Sequence, residues 1–126
     1  MATEIDLKLT PEPEVVTTAR RALDRLANLL PPERLEEVRL VVSELVTNCI
    51  LHAGLSPNDR ISVSVSTSGD SVRGRVCDPG CGFEVPSEPS PRSTLRGGWG
   101  LPIVDKLTDR WGVEQNSQVC VWFEIR

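Results

Sequence analysis

Glu44-Leu45-Val46-Thr47-Asn48-Cys49-Ile50-Leu51-His52 carries three polar residues, Glu44, Asn48 and His52, each four positions after the last. On an α-helix that spacing stacks them in one row beside the apolar side formed by Val42, Leu45, Val46 and Cys49. A carboxylate and a carboxamide held against apolar surface lose water contacts that a cation, a proton or a hydrogen-bond partner must replace. The pair suits a divalent cation bound through oxygen, and a carboxylate there can take a proton. A solvated helix edge would show the same spacing, so the row acquires meaning only from its surroundings.

Outward from it, the periodicities predict a simple order of elements. Residues 4 to 9 alternate, with Ile5, Leu7 and Leu9 apolar and Glu4, Asp6 and Lys8 charged, which predicts a short strand with one wet face. Thr10 and Pro11 mark a helix start, and Val16, Ala19, Leu23, Leu26 and Leu30 follow at helical spacing. Pro31-Pro32 ends that helix and opens a second, expected from about Pro32 to Ala53 with Gly54 as its stop. Residues 61 to 65 and 72 to 76 alternate around Ser68-Gly69-Asp70 and predict a hairpin. A long aperiodic stretch rich in proline and glycine, from Pro79 to Gly98, reads as a lid. Leu101, Val104, Asp105 and Thr108 predict a short helix, and 110 to 113 with 119 to 126 a closing hairpin.

The totals narrow the class. A chain of 126 residues, 39% of them apolar, is expected to form a single domain over residues 1–126. A net charge of -4 and a pI near 5.0 argue against direct binding to nucleic acid or to anionic lipid. The start, Met1-Ala2-Thr3-Glu4-Ile5-Asp6, has no positive residue leading an apolar run, and no later stretch is long enough to span a bilayer. A cytoplasmic location is the expectation, with Cys49, Cys77, Cys81 and Cys120 reduced.

Two glycine-bearing motifs give the polar row a context. Asp78-Pro79-Gly80-Cys81-Gly82 follows directly on a strand. Proline and glycine suit the centre of a tight turn, and an aspartate there can accept a hydrogen bond from an exocyclic amine while the glycines let a flat ring approach the backbone. Gly97-Gly98-Trp99-Gly100-Leu101-Pro102 leads into a helix, where exposed amides and a positive dipole end can cradle phosphate.

Glu44-x-x-x-Asn48-x-x-x-His52, Asp78-x-Gly80-x-Gly82 and Gly98-x-Gly100-Leu101, in that order, resemble the N box and the two glycine boxes of the gyrase, heat-shock-chaperone, histidine-kinase and mismatch-repair ATPase superfamily (GHKL). Within it, the small size, Ser43-Glu44-Leu45-Val46-Thr47-Asn48 and the ending Val121-Trp122-Phe123-Glu124 resemble the bacterial anti-sigma-factor serine kinases. The predicted elements make an α+β two-layer sandwich, a mixed, mostly antiparallel sheet with about three helices on one face, and the resemblance implies that it is of the Bergerat type. The resemblance also implies ATP and Mg2+ as cofactors, with Asn48 holding the metal and Glu44 acting as base toward a hydroxyl. Asp78 would meet the adenine amine beside Gly80 and Gly82, Gly98, Gly100 and Leu101 would lie at the phosphates, and His52 would support the row. The implied partners are a sigma factor and an anti-anti-sigma factor, and a homodimer could use the alternating first strand.

Three positions depart from the family pattern: Trp99 between the glycines, Asn116-Ser117 before the last strand, and Cys120 where a threonine usually helps to seat adenine. Arg92 and Arg96 are candidate phosphate partners in the lid. Two other readings stay open. One is a nucleotide-dependent binding module that moves no phosphate. The other is a zinc site drawn from Cys49, His52, Cys77 and Cys81.

Overall fold

A computed structural model describes residues 3–80 and 101–126. Among these residues, five strands and three α-helices follow one another as β1 (Thr3–Leu9), α1 (Val15–Ala22), α2 (Pro32–His52), β2 (Ile61–Ser68), β3 (Ser71–Asp78), α3 (Leu101–Leu107), β4 (Arg110–Gln115) and β5 (Val119–Ile125). The sheet runs in the order β1-β2-β3-β5-β4. Each of these pairings is antiparallel, so the expected mixed sheet has no parallel member among the described residues. The α+β class stands.

Local chemistry explains the element ends. Pro32 occupies the first turn of α2, where no donor is lost, and Gly54 follows the helix at φ +66°, the left-handed region that glycine enters without strain. Gly69, at φ +61°, takes the first central place of the two-residue turn joining β2 to β3. Arg34 reaches from α2 to that turn and donates to the Asp70 carbonyl at 2.6 Å.

The first helix departs from its expected course at both ends. It begins at Val15 rather than near Pro11, after turns in which the Glu12 amide donates to the Thr10 carbonyl at 2.8 Å and the Val15 amide to the Glu12 carbonyl at 3.0 Å. It also tightens into a 3-10 helix over Leu23–Leu26, with Ala27 donating to the Asp24 carbonyl at 3.0 Å. Three residues per turn align Leu23 with Leu26, and both are fully buried.

The core lies between the helices and one face of the sheet. Ile5, Ile61, Val63, Val65, Val76 and Phe123 meet Leu23, Leu26, Val38, Val42, Leu45 and Val46 there, all 2% exposed or less. Gly74 leaves room for the Phe123 ring on this face, where a Cβ would collide with it. The opposite face carries Lys8, Ser62, Ser64, Arg73, Arg75, Trp122 and Glu124, alternating with the core residues. Trp111 is buried and donates from Nε1 to Asp105 at 2.9 Å, while Trp122 lies on the outer face with the Arg110 guanidinium 5.8 Å from its ring centre.

The cysteines correct the sequence expectation. Cys77 and Cys120 are joined in a disulfide across β3 and β5, whereas Cys49 is free and buried. Spacing in the sequence could not reveal this pair, because the antiparallel register is what sets the two residues face to face.

Candidate functional site

The last two turns of α2 and the end of β3 come together around a buried carboxylate. Asp78 is the final residue of β3 and only 3% exposed. Its Oδ1 accepts the Gly80 amide at 2.7 Å, closing the turn through Pro79. A Cβ at Gly80 would collide with the Ala53 carbonyl oxygen and stand 2.8 Å from Asp78 Oδ1. Glycine is therefore required for the turn to pack against the end of α2.

Cys49, also buried, sets its thiol beside the Asp78 carboxylate. Burial pushes the Asp78 carboxyl above its ordinary range and the Asp59 charge adds to that, while the Cys49 thiol and the Gly80 amide pull it partway back. Burial also pushes the Cys49 thiol well up, reinforced by the neighbouring carboxylate, so the thiol keeps its proton.

Asn48 precedes Cys49 on the same turn of α2. Its Oδ1 is buried and has no hydrogen-bond partner among the described residues. A buried acceptor left unpaired costs about 1–3 kcal/mol. Such an oxygen fits a hard divalent cation, which is bound through carbonyl and carboxylate oxygens. Glu44 and His52, one turn to either side, are half-buried. Beside Glu44, the Ser43 hydroxyl donates to the Arg39 carbonyl at 2.6 Å and accepts from Arg20 at 3.1 Å, which ties this part of α2 to α1.

The sequence-derived candidates thus divide. Asp78 and Gly80 meet at the end of α2, against Ala53, while Glu44, Asn48 and His52 lie along that helix. Gly82, Gly98, Gly100, Arg92, Arg96 and Trp99 lie outside the described residues, as does Cys81. The backbone of Leu101 opens α3, which packs on α2. Two expectations change. Cys120, which stands where a threonine usually helps to seat adenine, shares a sheet face with Cys77, whereas Val119 is the residue paired with Asp78, so Cys120 points away from that carboxylate. The zinc set loses Cys77, whose sulfur is bonded to Cys120.

Cys49 was legible only as an apolar helix position or a zinc ligand. Its contact with Asp78 spans a helix and a strand far apart in sequence, and no local pattern signals it.

Residues 9–125 match the histidine kinase-like ATPase domain family. The serine-protein kinase RsbW of Bacillus velezensis is 30% identical over 131 aligned positions, covering 93% of this chain and 81% of that protein. The serine-protein kinase RsbW of Oceanobacillus iheyensis is 30% identical over 127 positions, covering 90% and 79%. Among solved structures, the catalytic domain of histidine kinase ThkA superposes with a TM-score of 0.59 at 18% identity, covering 99% of this chain and 95% of that one. The histidine kinase domain from the Erythrobacter litoralis EL346 blue-light activated histidine kinase gives 0.59 at 21%, covering 90% of this chain and 59% of that one. The structural likenesses establish the fold, and the sequence match carries the assignment: the chain belongs to the histidine kinase-like ATPase domain family.

Proposed function

We propose that this chain is an ATP-dependent serine-protein kinase of the anti-sigma type, a single ATP-binding domain over residues 1–126 acting in the cytoplasm. Its protein partners would be a sigma factor and an anti-anti-sigma factor whose serine receives the phosphate. The relatives named serine-protein kinase support the activity, and no helix among the described residues is long and apolar enough to cross a membrane.

The observation that carries the reading is that the last turns of α2, which pack against the buried carboxylate of Asp78 and the Gly80 turn, also carry an orphaned buried amide oxygen on Asn48. Asp78, ionised, accepts a hydrogen bond from the adenine amine, and the Gly80 turn, packed against the end of α2, holds the carboxylate in place for it. Asn48 Oδ1 supplies an oxygen ligand for Mg2+, which when bound neutralises charge on the triphosphate. Glu44, half-buried one turn earlier on α2, takes the proton of the attacking serine hydroxyl. His52 supports the row, and Gly82, Gly98, Gly100 and Leu101 complete the proposal as the residues around the base and phosphates. A second copy of the chain would pair through edge strand β1, making the kinase a homodimer.

Labelled ATP supplied with the antagonist protein tests this directly. Transfer to serine should occur with the unaltered chain and vanish in Glu44→Ala while ATP still binds. Binding without transfer in the unaltered chain would identify a nucleotide-dependent binding module. Asn48→Ala should remove the Mg2+ dependence of ATP binding.

A further inference from the structure

The antiparallel register sets Cys77 opposite Cys120 and, one rung further along, Asp78 opposite Val119. The disulfide therefore sits on the rung next to the buried carboxylate, joining residues 43 positions apart in sequence. Its cysteines are 7% and 3% exposed, so a reagent must be small to reach them. Beyond Asp78 the chain leaves the sheet through Pro79 and Gly80, and the Asp78–Val119 pair is the last rung of the β3–β5 ladder.

We infer that Cys77 and Cys120 form a reversible thiol–disulfide site that fixes Asp78 for the nucleotide when oxidised and loosens it when reduced. The inference rests on the reading of Asp78 as the adenine acceptor. The end of a ladder opens at much lower free energy than its middle. A covalent bond one rung inside suppresses that opening and holds Asp78 where Cys49 and the Gly80 amide meet it. A ligand whose competent state is only partly populated binds more weakly by that fraction, so loosening the rung weakens ATP. The rest of the ladder, from Val72 opposite Ile125 onward, keeps its backbone pairing without the bond, which confines the change to the site end.

The oxidant is a small disulfide. One protein thiolate attacks a sulfur of it, forming a mixed disulfide and releasing one small thiolate. The second protein thiolate attacks the protein sulfur of that mixed disulfide, closing Cys77–Cys120 and releasing the other small thiolate. The two protein protons end on the two released thiols, so two protein thiols and one small disulfide become one protein disulfide and two small thiols.

Equilibrating the full chain across a series of reduced-to-oxidised glutathione ratios, then alkylating and mapping the peptides, tests the site. The Cys77–Cys120 cross-link should form and disappear reversibly. Across that transition the Gly80 amide should exchange more slowly in the oxidised chain, and the Kd for ATP should fall by about threefold to tenfold. Cys120→Ser should bind ATP as the reduced chain does and ignore the glutathione ratio. Failure of the cross-link to form, or a cross-link that leaves Gly80 exchange unchanged, overturns the inference, as does ATP affinity equal in both forms. Should neither form bind ATP, the nucleotide reading falls, and Gly80 exchange still decides whether the disulfide holds Asp78.

Discussion

The two ends of α2 follow opposite rules. Along its first turns every charged side chain with an assigned contact is partnered in or near water. Arg34 meets Glu37 at 3.2 Å and the Asp70 carbonyl, and Arg39 bridges Glu36 and Asp24. The other side of that half is plain hydrophobic packing through Leu35, Val38, Val41, Val42 and Leu45. At the far end, Asn48 leaves a buried oxygen unpaired and Cys49 sits against a buried carboxylate. One helix therefore stabilises the fold at its start and carries a destabilising polar cluster at its end. Strain of this kind persists where function requires it and the neighbouring packing can hold it.

Several measurements would break or sharpen that contrast. Removing packing from the stabilising end should have the largest effect: Leu45→Ala should lower unfolding free energy by about 2–5 kcal/mol in denaturant melts. At the polar end, Asp78→Asn should weaken ATP by about 1–3 kcal/mol, roughly tenfold to a hundredfold. The same change should leave neutral-pH stability unchanged or raised. A loss as large as that of Leu45→Ala would show that Asp78 supports the fold after all.

The pH dependence follows from the same carboxyl. Its folded-state pKa is raised, chiefly by burial, so between the ordinary and the raised value the native chain holds more protons than the unfolded one. Stability should therefore fall as pH rises through that window and stay lower above it. ATP binding should run the other way, weakening as pH falls through the raised value because the protonated acid accepts less well. Asp78→Asn should flatten both slopes in melts and titrations taken across the acidic range.

The smallest effect belongs to the exposed charges. Arg39→Ala should cost less than about 1 kcal/mol, since ion pairs with largely exposed partners are screened and entropically expensive. A larger loss would mean that the first half of α2 relies on its charges rather than on its apolar side.

Much of this was legible before any coordinates. The alternation of Ile5, Leu7 and Leu9, the Pro32 start and Gly54 stop of α2, and the Gly69 turn obey rules that act within a few residues, and the structure has them where the sequence places them. The 3-10 segment at Leu23–Leu26 was not legible, because its three-residue spacing also fits an α-helix and only packing chooses between them.

From residue order alone came the helix row of Glu44, Asn48 and His52, the Asp78-Pro79-Gly80 turn and the α+β class, since periodicity and backbone chemistry are written locally. Tertiary structure alone decided that Cys49 lies beside Asp78, that Asn48 Oδ1 is left without a partner among the described residues, and that Cys120 bonds to Cys77 on the face away from the carboxylate. Those outcomes depend on which strand lies beside which and in what register, and a strand shifted by one residue turns every side chain to the other face.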